Sequence, residues 1–213
     1  MNRRRQNENR FTTTSAAMVL IDHQAGIINL ARNIPRAEIG RNVRALARTA
    51  VENGMPLVLT TSLETEFQGP MLDDLKAIAP EAYNKRVRRH GVVDCWDDEN
   101  FKNAVVATGR KKLIMAGLTN HVCTVFPSIS ATEDGYDVQV VVDAGGSPTQ
   151  VADDLSVQRM KDHGVKVTVT DQMLAELAGF WNEGAGPSIS KILQEEKILS
   201  ATLRAETSSA PAA

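Results

Sequence analysis

The 213-residue chain is poor in aromatics, at 4%, has only two cysteines and carries a formal charge of −2. Each shortage removes a class of function. Without a basic surplus and interleaved aromatics, the sequence offers neither the electrostatic footprint nor the stacking platform of a nucleic-acid binder. Cys95 and Cys123 lie too far apart for a CxxC redox or zinc motif, and two thiols make no disulfide framework, so a reducing compartment is expected. No apolar run approaches the length that crosses a bilayer. The basic opening, MNRRRQNENR, lacks the apolar stretch of a secretion signal. The expectation is a cytoplasmic protein without a nucleic-acid or membrane partner. A nucleotide-binding oxidoreductase would need a glycine-rich turn after its first strand. The chain reads Asp22-His23-Gln24-Ala25-Gly26-Ile27-Ile28 there, which argues against that class.

What the chain does have is alternation. Short apolar runs at 17–21, 57–60, 112–116, 138–142 and 165–169 read as strands, with a weaker candidate at 85–89. Helical spacing separates them: Ile39, Val43, Leu46, Ala50 and Val51 share one face, and Gly54 and Pro56 stop that helix. Segments 98–107, 122–134 and 150–163 behave similarly. The alternation predicts an α/β fold: one domain, three layers α-β-α, around a mostly parallel central sheet. Residues 1–14 and 205–213 read as flexible tails flanking a domain at 15–183. An amphipathic helix at 184–204 is expected either on its own domain or, with a slight preference, against a neighbouring subunit, the core being complete by Trp181.

Ligands of open α/β sheets gather beyond the carboxyl ends of the strands. That edge collects Asp22 after the first strand, Arg89 after the weak candidate and Cys123 after the run Gly117-Leu118-Thr119-Asn120-His121-Val122. A cysteine just inside a helix N-terminus is placed for thiolate stabilisation by the macrodipole, and the free N–H groups there can hold an oxyanion. Asp22 could take the thiol proton, and Arg89, always charged, could act only electrostatically. Spacing alone leaves buried filler as the alternative for Cys123 and a loop cap as that for Asp22. Cys95, beside Trp96 and an acidic helix start, reads as structural.

The ordered set Leu20-Ile21-Asp22-His23-Gln24, Arg89 with Asp94-Cys95-Trp96-Asp97, and Ala116 through Cys123 resembles the isochorismatase-like cysteine hydrolases, most closely their YcaC-like branch. The resemblance spans about 16–181 and continues in Ala131-x-Glu133-x-Gly135-Tyr136-Asp137-Val138 and Val142-Asp143-Ala144. It implies a catalytic triad of Asp22, Arg89 and Cys123. Where the family usually shows Arg-Pro-Gly, this chain has Arg89-His90-Gly91, and Lys85, Arg86 and Arg88 compete for the middle place. It also implies a non-proline cis peptide at Thr119-Asn120, aiming oxyanion-hole N–H groups near Asn120 and Cys123. Related nicotinamidases hold a metal through an Asp-x-His motif that residues 62–67 lack, so no metal and no cofactor is expected, and His23 and His121 are set aside as catalytic or ligating residues. Asp143 reads as a structural hydrogen-bonding residue.

The implied activity is hydrolysis of a small amide or related C–N bond through a thioester, with the isochorismate-type vinyl ether disfavoured. Gln24, Trp96 and Phe126 are expected to line the substrate cavity or to pack beside it. The implied partners are a small-molecule substrate and further copies of the chain, as a tetramer or octamer. A non-catalytic oligomeric binding protein on the same fold is the alternative.

Overall fold

The computed structural model describes residues 10–198. Six strands form one sheet: β1 (Ala16–Ile21), β2 (Leu57–Ser62), β3 (Val87–Arg89), β4 (Lys112–Gly117), β5 (Asp137–Val141) and β6 (Lys166–Thr168). Their order is β3-β2-β1-β4-β5-β6, and every pairing is parallel. The apolar β1, AAMVLI, is buried along its whole length because it lies between neighbours in the sheet and helices on both faces. The short β3 and β6 are edges.

Among the described residues, six α-helices connect the strands, α1 (Arg36–Glu52), α2 (Asp73–Ile78), α3 (Pro80–Asn84), α4 (Glu99–Ala107), α5 (Val125–Glu133) and α6 (Gln150–Asp162), and two follow β6, α7 (Thr170–Ala178) and α8 (Gly186–Glu195). Strand alternation splits the core in two. Ala16, Met18 and Leu20 pack with α1, α7 and α8, whereas Ala17, Val19 and Ile21 pack with α4, α5 and α6. This is the three-layer α/β domain that the alternation predicts. Side-chain caps sharpen helix starts: the Asp98 carboxylate accepts from the N–H groups of Asn100 and Phe101, and Thr149 accepts from that of Ala152.

Both ends differ from expectation. Phe11, placed in the flexible arm, is 1% exposed in the core, and its N–H donates to Glu176 at 2.9 Å. Residues 1–9 of that arm and the tail at 205–213 lie outside the described residues. Of the helix expected at 184–204, by preference against a subunit, residues 199–204 lie outside the described residues; the described part is α8, and its apolar face is spent within the chain. Ile189, Ile192 and Leu193 are buried against α1 and α7, and Arg44 and Arg48 of α1 hold Glu195 and Glu196. The core is therefore not complete at Trp181, which is exposed. A chain leaving α7 still needs a cover for the α1 side of the sheet, and α8 supplies it.

Candidate active site

Connections run to one side of β1 as far as β3 and then cross back to β4 on its other side. The β1 and β4 exits flank this reversal, where an open α/β sheet leaves a crevice. Asp22 follows β1 directly, in a left-handed conformation with φ of 55°, which ends the extended run. Its N–H still donates to Thr60 of β2 at 3.0 Å, and its carbonyl closes a tight turn with the N–H of Gln24. Asp is among the few residues that enter this region without large cost.

Arg89 ends β3, two strands away, and its side chain returns across β2. Nη2 donates to both carboxylate oxygens of Asp22, Nε donates to Thr60 Oγ1 at 3.0 Å, and Nη1 donates to the Val92 carbonyl at 2.7 Å. Thr60 Oγ1 in turn donates to the Val87 carbonyl at 2.9 Å. Of the competing cations it is Arg89 that meets Asp22: Arg86 is bound to Glu64 and Arg88 is mostly exposed beside the same Glu64. Lys85 lies with the surface grooves at the other end of β2.

Cys123 lies in a π-helical turn, Asn120–Thr124, that leads into α5. Its sulfur lies beside the Asp22 carboxylate and the Thr119 backbone, near enough to feel both. The three residues thus meet, although 101 positions separate the first from the last in sequence. Burial raises the Asp22 carboxyl above its ordinary range, with Arg89 and the thiol opposing. Burial also works against the Arg89 charge, but Asp22 beside it prevails and keeps it a cation. The Cys123 thiol is pushed up to about 12, by burial first and then by the Asp22 charge. The sequence argument from the macrodipole expected a stabilised thiolate. Burial and the neighbouring carboxylate work against that charged form.

The cis peptide lies between Leu118 and Thr119, one bond earlier than expected. Asn120 is not free for an oxyanion. Its N–H donates to the Gly146 carbonyl at 2.8 Å, and its amide nitrogen reaches the Val142 carbonyl and Asp153. It ties the turn to the loop after β5, where Gly145 is obligatory: a Cβ there would meet Asn120 Oδ1 at 2.3 Å.

Cys123 opens onto a cavity of about 240 Å³ lined by the apolar Ile27, Leu30, Phe67, Val122 and Pro148 and by the polar Ser62, Gln68, Thr119 and His121. None of the three residues expected as its lining faces it. Gln24 is buried and spends its amide on the wall: Nε2 donates to the carbonyls of Ser62 and Gly69, and Oε1 accepts from the Ser62 N–H at 2.8 Å. Trp96 is a core residue, edge-on to Phe101 and Tyr136, with its indole N–H on Asp134. Phe126 packs on the α4–α6 side of the sheet. The segment Gln24-Ala25-Gly26 clasps the loop that carries Phe67 and Gln68. Ala25 and Gly26 donate to the Pro70 and Gln68 carbonyls, both at 2.9 Å. Of the lining residues, Ser62 and the run Thr119 to Val122 at strand exits were within reach of pattern reasoning, whereas Phe67, Gln68 and Pro148 sit on loops.

His121 lines the cavity together with Cys123, against the expectation that the spacing turns the two apart. Burial holds its pKa below the ordinary value. His23 is fully enclosed, its Nε2 is 2.8 Å from the Ala144 carbonyl, and burial lowers its pKa to about 4. It braces the loop after β5. Cys95 is sealed in the core, and burial raises its thiol well above the ordinary range. Asp143 accepts from the N–H and hydroxyl of Thr170, a structural role.

Residues 16–172 match the model of the isochorismatase domain. The chain belongs to the isochorismatase family. It is 38% identical to the probable hydrolase YcaC of Escherichia coli over 172 residues, which span 81% of this chain and 82% of that one. An isochorismatase family protein, 2B, of Dictyostelium discoideum is 32% identical over 56% of this chain and 47% of its own. Among solved structures, YcaC from Pseudomonas aeruginosa, with hexane-2,5-diol and covalent acrylamide, superposes with a TM-score of 0.84 at 37% identity, covering 94% and 98% of the two chains. The E. coli YcaC structure, described as an octameric hydrolase of unknown specificity, gives 0.82 at 36% over 92% and 97%. The chain is thus a YcaC-like hydrolase of the isochorismatase family. Among the described residues, no helix is long and apolar enough to cross a membrane.

Proposed function

We propose that this hydrolase cleaves a small amide or related C–N bond with Cys123 as nucleophile, Asp22 as general base and acid, and Arg89 as the group that orients Asp22. The observation that carries the reading is the continuous contact from Arg89 to Asp22 to the Cys123 thiol, ending at the cavity. The proton of the thiol passes to Asp22 as sulfur attacks the carbonyl carbon, so no standing thiolate is needed. The N–H groups of Thr119 and Cys123 receive the oxyanion, in place of Asn120. Collapse breaks the C–N bond, and Asp22 returns its proton to the leaving amine. Asp22 then takes a proton from water, whose oxygen attacks the thioester, and the thiol is restored as the acid forms. The sum is amide plus water giving acid plus amine.

The covalent acrylamide on the P. aeruginosa relative supports a reactive nucleophile on this fold. The octamer of the E. coli relative supports a homo-oligomer for this chain too. The test is turnover on a panel of small amides, with the acyl-enzyme trapped by mass spectrometry. Cys123→Ala should abolish both. Full turnover in that variant would refute the mechanism, and an inert thiol with no hydrolysis would favour a binding protein on this fold.

A further inference from the structure

The cavity beside Cys123 contains no formal charge. Of its ten lining residues none is Asp, Glu, Lys or Arg, and its one titratable ring, His121, is held toward the neutral form by burial. The charges behind the sulfur are already spent on each other, and Asp153, whose charge is felt at His121, is taken up by hydrogen bonds from Asn120 and Ser147. Every arm of Arg89 is committed, to Asp22, to Thr60 and to the Val92 carbonyl, and the guanidinium side chain is 1% exposed. Asp22 is wholly enclosed and satisfied by the same guanidinium.

From this arrangement we propose that the substrate is uncharged over the part that enters the cavity: a small neutral acyl compound with an apolar body, excluding carboxylates and ammonium groups alike. The inference rests on Cys123 being the nucleophile. Bringing an ion into a largely apolar space strips its water, and without a counter-charge that cost is not returned. A cation would find Asp22 already paired with Arg89, and Asp153 already taken up by Asn120 and Ser147. Neutral polar groups fare better, because Ser62, Gln68, Thr119 and His121 carry polar groups at the lining while Ile27, Leu30 and Phe67 supply apolar cover. The space, about 240 Å³, lies below the range of about 300–1,000 Å³ usual for drug-sized ligands, which limits the size of the enclosed part. The same asymmetry favours turnover. Hydrolysis converts the neutral acyl group into an acid that ionises in a space with no cation, and such a product is expelled.

Alkylation at Cys123 separates the possibilities. Native protein is treated with iodoacetamide, with iodoacetate and with (2-bromoethyl)trimethylammonium, modification is read at Cys123 by peptide mass spectrometry, and each rate is divided by that of N-acetylcysteine. Normalised in this way, the neutral reagent should exceed both ionic ones by about tenfold or more. Val122→Lys, which sets an ammonium on the cavity wall, should raise the normalised iodoacetate rate relative to iodoacetamide. Equal normalised rates, a faster ionic reagent, or a ratio unmoved by Val122→Lys in a folded variant would overturn the uncharged-substrate inference while leaving Cys123 as nucleophile. No modification by any reagent in the native protein, with ready modification after unfolding, would overturn both.

Discussion

Asp22 and Arg89 form an ion pair sealed from solvent: one guanidinium nitrogen donates to both carboxylate oxygens, with the two side chains 0% and 1% exposed. Neither residue can be understood alone. Burial raises the carboxyl toward its neutral form, and Arg89 is what keeps an acceptor available for the Cys123 proton.

Removing the cation should therefore cost stability as well as turnover. Arg89→Met leaves a buried carboxylate without a counter-charge, with an expected loss of about 3–5 kcal/mol. Arg89→Lys keeps the charge and forfeits the fork to Thr60 and Val92, so its loss should be smaller. Urea unfolding measures both. A loss of about 1 kcal/mol or less for Arg89→Met, the size of an exposed pair, would contradict the sealed geometry.

The Cys123 thiol, raised to about 12, sets a pH signature. Iodoacetamide modification should climb without a plateau between about pH 7 and 9, as for a thiol that is still protonated there. Asp22→Asn removes the negative charge that holds the proton and leaves Arg89 nearby, so the labelling curve should move to lower pH. Turnover should nevertheless fall by roughly 10²–10⁴, the usual worth of a general base. Labelling curves that coincide would mean that Asp22 does not act on the thiol.

Gly26 should be intolerant of a methyl group. A Cβ there would lie 1.8 Å from the Phe67 carbonyl oxygen and 2.9 Å from that of Gln68, both backbone atoms of the cavity wall. Gly26→Ala must push the wall away, at about 1–3 kcal/mol of stability. It should also change the relative labelling of Cys123 by small and bulky alkylating agents. Gln24→Ala, which frees the same loop at Ser62 and Gly69, should change selectivity in the same assay. Unaltered stability and selectivity in Gly26→Ala would show that the loop is not clasped.

Asp143 provides a stability test away from the catalytic residues. Burial, opposed by the Thr170 hydrogen bonds, raises its pKa from 3.8 to about 6. The folded state thus holds this proton more tightly than the unfolded chain. Its contribution is fully present below about pH 4 and is lost as the pH rises through about 6. Asp143→Asn keeps an acceptor for Thr170 and cannot ionise. Relative to the parent, the variant should gain about 2–3 kcal/mol between pH 4 and 7. Urea unfolding at the two pH values measures the difference, and a constant offset would refute the assignment.

The legible and illegible parts of this molecule divide by the kind of force involved. The strand–helix alternation was readable because β1, β2, β4 and β5 are buried on both faces and so appear as apolar runs. The edge strand β3 was faint, three residues long and following a short helix, yet its last residue is Arg89. Motif order brought Asp22, Arg89 and Cys123 together. It misplaced the cis peptide by one bond, and the substrate wall was assigned to Gln24, Trp96 and Phe126, whose side chains the structure spends on the loop, the core and the α4–α6 layer.

By itself, then, the sequence determined the layered fold, the three residues at the strand exits and their order, because periodic burial and residue type are local properties of the chain. Tertiary structure alone decided the protonation of Cys123, the commitment of Asn120, the use of α8 as core and the uncharged wall around the thiol. Those depend on desolvation and on which side chains meet across strands distant in sequence, and neither is encoded in spacing.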